Sequence, residues 1–381
     1  KAYTLLQQQE AKKLLAELNT ARTDRRPLDI KTLEEHVNDL GEPPTWRVNQ
    51  LIPADAGTLI TAQRKTGKTT FVLNLARCII TGEQFLGTFA TDITNGPVAL
   101  LNFEVSGHQI AQWANEAFGD EDISDLLVIA NLRGHASPLA TGATRDELAH
   151  NLRDRGVETL IVDPFGRAYT GTSQNDAGEV SRWLAELDTF ARHEVGARDV
   201  ILTNHAGWNA ERTRGSSALE DWADSIITLT RDTTTDQRFI KAEGRDVSLN
   251  EDGLNFNPDT RTLTLAGTGG RKAAAEHSKV EDLLVKIVGL LNETSYMTGA
   301  GVEKALREGG HQARSVNVTK ALQLGINRGH IDKTGGPRGA HHYKLADLYN
   351  PTSAHLLPTP PGVGDLTSSH PYRGEEEVTA P

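Results

Sequence analysis

Residues 57–70, Gly-Thr-Leu-Ile-Thr-Ala-Gln-Arg-Lys-Thr-Gly-Lys-Thr-Thr, join an apolar run, a turn and a helical pattern within one short stretch. Leu59 and Ile60 form the run, and Phe71, Val72, Leu75 and Ile79 recur at helical spacing after it. A strand, a loop and a helix in that order leave free backbone N–H groups at the helix start, where they favour an anion. The Lys68 ammonium can reach the outer phosphates of a nucleotide, and the Thr69 hydroxyl can hold Mg²⁺. Gln63, Arg64, Lys65, Thr66, Gly67, Lys68, Thr69 and Thr70 are therefore the candidate ATP-binding loop. The bland alternative is a chance Gly-Lys-Thr at a helix start. One position departs from the phosphate-loop pattern: Ala62 stands where a glycine is expected, and its Cβ would tighten the loop if the backbone needs φ > 0.

Two carboxylates end apolar runs further on. Thr159-Leu-Ile-Val-Asp163 places Asp163 at a strand tip, where it can orient Mg²⁺-bound water. Ala99-Leu-Leu-Asn-Phe-Glu104 places Glu104 at another tip, where it can orient or deprotonate the water that attacks a γ-phosphate. A solvated Asp and a structural Glu are the competing readings.

The elements that must position these groups alternate from Trp46 to about Leu265. Strand candidates are 58–61, 98–103, 126–129, 159–162, 200–203 and 225–230, with helical patterns in most of the gaps. That predicts a mainly parallel sheet with helices on both faces, an α/β fold. Runs at 238–242 and 263–265, separated by turn-rich sequence around Asn250, Gly253 and Asn257-Pro258-Asp259, suggest an antiparallel extension at one sheet edge. The expected organisation is an N-terminal helical arm (1–43), the α/β core (44–266), a linker (267–278), a small second domain (279–346) and a disordered tail (347–381). The arm has so narrow an apolar stripe that it must dock on its own core or on a neighbour. The tail holds six prolines from Pro351 on and the acidic run Glu375–Glu377.

In their order, the phosphate loop, the strand ending in Glu104, the strand ending in Asp163, Val200-Ile-Leu-Thr-Asn-His205 and Arg214-Gly-Ser-Ser-Ala-Leu219 resemble a known family. It is the RecA-like P-loop NTPase core of the hexameric replicative helicases, closest to the plasmid RepA type and related to the bacterial DnaB type. The resemblance covers about residues 44–266, and its most specific part is the Arg-Gly-Ser-Ser-Ala-Leu segment leading into Trp222. It implies that Lys68 and Thr69 carry phosphate and Mg²⁺, that Glu104 is the catalytic carboxylate and that Asp163 is the Walker B acid. It implies that Asn204 and His205 sense the nucleotide, and that Lys241 and Arg245 serve the active site of the adjacent subunit. Such a cation is worth about 10³–10⁵ in rate where an arginine finger operates. Without the resemblance, His205 reads as a satisfied polar group at a strand end, and Arg245 as a partner of Asp246 or Glu243.

Two loops could touch single-stranded DNA: 166–178, with Arg167 and Tyr169, and 206–217, with Trp208, Arg212 and Arg214. In RecA-like rings the corresponding loops line the channel. Cations beside an aromatic suit a backbone with stackable bases, although two flexible loops would look the same. In the second domain, helical patterns at 280–291, 301–307 and 315–328 precede a strand, a Gly/Pro turn and a strand at 331–344, which resembles a winged helix. Between Arg314 and Lys344 there are six Lys/Arg against one acid, Asp332. Lys320, Arg328, Lys333 and Arg338 would then make salt-dependent contacts to duplex DNA; winged helices also dock proteins. The adjacent His341 and His342 point to opposite strand faces and are not read as metal ligands.

Composition bounds the rest. The chain has 381 residues and a net charge of -11, which excludes a uniformly basic coat for nucleic acid but not a local basic surface. Its one cysteine, Cys78, excludes an internal disulfide framework and a cysteine-based zinc site, and reads as a small buried residue. The absence of a long apolar run or a secretory signal leads us to expect a cytoplasmic protein without membrane contact. The chain opens at Lys1 and has its one methionine at Met297, as expected of a piece of a longer or processed product. The leading expectation is an ATP-hydrolysing DNA motor, a homo-hexamer working with replication proteins. The rivals are an ATP-switched DNA loader or regulator that unwinds nothing, and a recombinase-like filament ATPase.

Overall fold

The computed structural model describes residues 30–39, 46–119, 124–140, 142–206, 216–294, 296–311, 313–335 and 341–346. The tail expected at 347–381, most of the arm, Trp208, Arg212, Arg214 and Arg338 lie outside the described residues. Of the arm, α1 (Leu33–Asp39) is described, and it buries none of its residues.

A short hairpin of β1 (Trp46–Val48) and β2 (Ile52–Pro53) leads into the main sheet. The remaining strands of the first unit are β3 (Gly57–Ala62), β4 (Val98–Asn102), β5 (Leu127–Asn131), β6 (Thr159–Asp163), β7 (Asp199–His205), β8 (Ser225–Arg231), β9 (Arg238–Gly244), β10 (Ser248–Phe256) and β11 (Leu263–Leu265). They form one sheet in the order β11-β10-β9-β8-β3-β7-β6-β4-β5. From β8 to β5 all pairings are parallel, while β8-β9-β10-β11 pair antiparallel. The expected parallel sheet with an antiparallel edge is therefore present.

The edge contains a strand where the sequence predicts turns. β10 covers Asn250 and Gly253, with a register shift between Leu249 and Asp252. Its far half still alternates into the core through Leu254 and Phe256. The polar residues of its near half are used locally: Glu251 accepts from the Arg271 N–H, and Asp252 accepts from that of Gly269.

Side-chain alternation on the parallel strands fills both faces. Ile60, Leu100, Ile161 and Ile201 pack with Phe71, Leu75 and Ile79 of α2 (Lys68–Thr81) and with Ile110 of α3 (Gly107–Phe118). Leu59, Leu101, Leu160, Val162, Val200 and Leu202 pack on the other face. There they meet Leu152 of α4 (Ala143–Asp154) and Phe165 of α5 (Phe165–Ala168). Val180 and Leu184 of α6 (Ala177–Asp188) complete that layer. Burying Phe71, Leu75 or Ile79 fully contributes about 1.5–3 kcal/mol each, so α2 is fixed to the sheet by its core face. Cys78 on that helix is buried, and burial pushes its thiol up to about 12. The short α7 (Ala218–Trp222) precedes β8.

The second unit packs α8 (Arg271–Glu293), α9 (Gly299–Glu308) and α10 (Ser315–Asn327) around Leu284, Ile287, Val302, Leu306, Val318 and Leu322. A small antiparallel sheet, ordered β12-β14-β13, closes it. Its strands are β12 (Met297–Thr298), β13 (Ile331–Gly335) and β14 (His341–Leu345). Segment 267–278, expected as a linker, is helical from Arg271 on; Ala273, Ala274 and Ala275 favour that outcome. Among the described residues no helix is long and apolar enough to cross a membrane.

Candidate nucleotide site

The loop between β3 and α2 crosses the carboxyl end of the parallel strands. Gly67 caps α2 at φ 95°, a left-handed conformation that glycine adopts without strain, and it offers no side chain to the first-turn amides. Those amides stay oriented toward an anion. Ala62 ends β3 in the sheet, paired with His205 and Leu229, and is not among the positive-φ residues. The tightening expected of its Cβ does not arise, because the left-handed positions of this loop are Lys65 and Gly67. Gln63 secures the loop to β8: its N–H donates to the Leu229 carbonyl (3.3 Å), and its side-chain oxygen accepts from the Arg231 N–H (2.8 Å). Thr66 closes the turn through Oγ1 to the Gln63 carbonyl at 2.7 Å. Arg64 and Lys65 are exposed on the outside of the turn.

Lys68, Glu104, Asp163 and His205 converge beside this loop. The buried Lys68 ammonium donates to Asp163 and to Thr203 Oγ1 (3.0 Å), and lies 3.7 Å from Glu104 Oε2. Asp163 is itself almost fully buried at the end of β6 and also accepts from Thr203. Thr69 Oγ1 is 3.4 Å from Asp163 Oδ2. A hydroxyl and a carboxylate side by side are hard oxygen donors of the kind Mg²⁺ takes alongside phosphate oxygens and water. The chemistry of this donor pair therefore fits the expected ion. Among the described residues no group of three or more His, Cys, Asp or Glu could form an all-protein metal cage.

Glu104 sits just past β4 and is 3.6 Å from His205 Nε2. The His205 contact, with help from the charges of Lys68 and Arg167, outweighs partial burial and holds the Glu104 carboxyl down at about 2. It is a carboxylate throughout the physiological range. His205 Nδ1 is buried with no hydrogen-bond partner among the described residues, so one polar atom of this cluster remains for a further ligand.

Some expected site residues take other positions. The Thr70 side chain is buried and accepts from Arg261 at 3.3 Å, so only its backbone N–H belongs to the loop. Lys241 pairs with Glu243 at 2.5 Å, and Arg245 with Asp224 at 2.7 Å. Gly244 pairs with Ser225 at the amino end of β8, whereas the phosphate loop leaves the carboxyl end of β3. Arg245 therefore lies at the opposite end of the sheet from the loop of its own chain. Lys320 and Arg328 are held by Glu276 and Glu281 of α8, and Lys333 is exposed on β13. Arg167 follows Asp163 on α5, close enough for its charge to act on Glu104.

Two residues of the site were not singled out in the sequence. Thr203 bridges Lys68 and Asp163; a hydroxyl within the apolar run of β7 was the available signal. Asn102 Oδ1 accepts from the Glu104 N–H (3.3 Å) and the Val105 N–H (3.0 Å), a turn that sets the Glu104 backbone. An Asn two residues before a functional carboxylate marks that turn.

A family model described as an AAA domain matches residues 24–211, just under half of the chain. The matched span contains Lys68, Thr69, Glu104, Asp163 and His205 and ends before Lys241, Arg245 and the second unit. No curated protein matches the chain significantly. The match and the geometry agree on a nucleotide-binding domain of the P-loop ATPase type.

Proposed function

We propose that this protein is an ATP-hydrolysing DNA motor of the replicative-helicase or replication-initiation type, a cytoplasmic ring with ATP sites between subunits. The observation that carries the hydrolytic part is the convergence of Lys68, Glu104, Asp163 and His205 on the phosphate loop. The first-turn amides of α2 and the Lys68 ammonium bind the phosphates. Thr69 and Asp163 would hold Mg²⁺, which supplies charge to the leaving phosphate oxygens when bound. Glu104, fixed by the Asn102 turn, accepts a hydrogen bond from the attacking water and aligns it. A carboxyl held at about 2 is a weak base. A phosphate that engages Lys68 withdraws one of the charges that depress Glu104 and raises its basicity. His205, in contact with Glu104, links the chemistry to the end of β7.

The ring reading is supported by Lys241 and Arg245. Arg245, at the far end of the sheet from its own loop, is suited to neutralising charge in a neighbouring copy, and Lys241 is an exposed cation of β9. The DNA reading is supported by loop 166–178 beside the site and by the order helix, strand, two helices and two strands in the second unit, which fits a winged helix. The test is phosphate release from Mg-ATP with and without single-stranded DNA. We expect DNA to stimulate release and Lys68→Ala to abolish it; turnover unchanged in Lys68→Ala would overturn the assignment.

A second reading, an ATP-switched loader or regulator, is favoured by the loop after β6. Glu179 closes that loop on itself by accepting from the N–H groups of Thr172 and Ser173 and from Tyr169, and Arg167 is its one cation. Hydrolysis without strand displacement would select this reading.

A further inference from the structure

The register of the C-terminal sheet divides its side chains between two faces. Ile331 pairs with Leu345, and Tyr343 pairs with Met297; these four pack on the helices. Their neighbours, Thr298, Asp332, Thr334, His342 and Lys344, therefore lie on the outer face. Tyr296, just before β12, joins that face: its ring centroid is 4.9 Å from that of His342, with the planes inclined at 35°. Tyr296 is 63% exposed, so one side of its ring is backed by the imidazole and the other faces solvent. The contact orders the ring in advance, which lowers the entropy to be lost when something stacks on it.

We propose that this face is a stacking site for an unpaired base of a single-stranded nucleic acid, with Tyr296 as platform and His342 as its backing. The surroundings select that occupant. Thr298, Thr334 and Lys344 border the rings, and Lys344 lies 3.8 Å from Asp332. Among the described residues this face has no broad apolar area for a hydrophobic protein interface. In a chain of net charge -11, β13 and β14 carry Lys333, which is exposed, and Lys344 against Asp332, which complements a polyanion. A planar, sequence-tolerant platform with a lysine on the same face is what a single strand requires. This site lies on the sheet, apart from α10, and does not depend on a duplex role for that helix or on ATP turnover.

The full chain, without nucleotide, is mixed with an oligothymidylate carrying 5-iododeoxyuridine, irradiated, and mapped by peptide mass spectrometry. Adducts are expected on Tyr296 or His342 and should disappear when the oligonucleotide is made duplex. In anisotropy titrations with labelled oligothymidylate, Tyr296→Ala should weaken binding about 5- to 150-fold, equivalent to ~1–3 kcal/mol per stacked base. Tyr296→Phe should bind as the native chain does. The salt slope should be the same in all three proteins, because no phosphate contact is removed. Basal phosphate release should be unchanged in Tyr296→Ala, which separates failure of this site from failure of the ATPase assignment. Adducts confined to other peptides, or native affinity in Tyr296→Ala, would overturn the proposal.

Discussion

The Lys68 ammonium faces two carboxylates at the phosphate loop, Asp163 and Glu104, and the three groups divide the chemistry between them. Glu104→Gln keeps the shape of the site and removes the proton acceptor. Turnover should fall about 10²–10⁴-fold while equilibrium binding of Mg-ATP persists, as read by single-turnover hydrolysis beside a filter-binding titration. Asn102→Ala removes the acceptor that fixes the Glu104 turn and should lower kcat with little change in KM, as read by steady-state phosphate release. The pH dependence has a definite sign. The Glu104 carboxyl is lowered from 4.5 to about 2 in the folded chain. Its stabilising contribution is therefore complete above pH 4.5 and is lost as the pH falls toward 2. Glu104 is partly exposed and solvent screens it, so the effect is modest. Urea unfolding should show the stability gap between the native chain and Glu104→Gln narrowing from pH 6 to pH 3.5.

At the scale of elements, close packing in the second unit gives a separate prediction. A Cβ on Gly325 of α10 would lie 2.5 Å from Ile331 Cδ1 and 2.8 Å from Leu284 Cδ1. Gly325→Ala should destabilise this unit by about 1–3 kcal/mol through overpacking, seen as a lower melting temperature for its transition while basal ATP turnover is retained. The same packing logic explains what was legible beforehand. β3, β6 and β7 are apolar on successive residues because both faces of a parallel sheet are covered, and Lys68 after the loop from β3, Asp163 at the end of β6 and His205 at the end of β7 gather around Glu104 and one another. Those elements, with Lys68 and Asp163, are readable from local pattern alone, whereas the role of His205 comes with the family resemblance. β10 is not readable in this way: Asn250 and Gly253 read as turn residues, yet they lie within β10, whose Glu251 and Asp252 hold the start of α8. Thr203 was hidden for a related reason, since its role exists only once β6 and β7 are adjacent. The Arg245 partner was likewise invisible: Asp224, which also accepts from the Gly57 N–H, is brought to it by the pairing of β8 and β9.

For the whole molecule, the proposed ring needs two copies for one working site. Arg245→Ala should leave ATP binding intact and reduce turnover by about 10³–10⁵-fold, the range of an arginine finger. Lys68→Ala subunits, inactive alone, should partly restore turnover when mixed with Arg245→Ala subunits, because a mixed interface pairs an intact loop with an intact cation. Full activity in Arg245→Ala would confine the chemistry to single chains. The most direct test of the central claim is calorimetric titration of Mg-ATP into Glu104→Gln and Lys68→Ala proteins, followed by phosphate release from the native chain. The account predicts saturable heat for Glu104→Gln, none for Lys68→Ala, and steady phosphate release only from the native protein. Equal ATP binding by all three proteins, or release that survives Lys68→Ala, would contradict it.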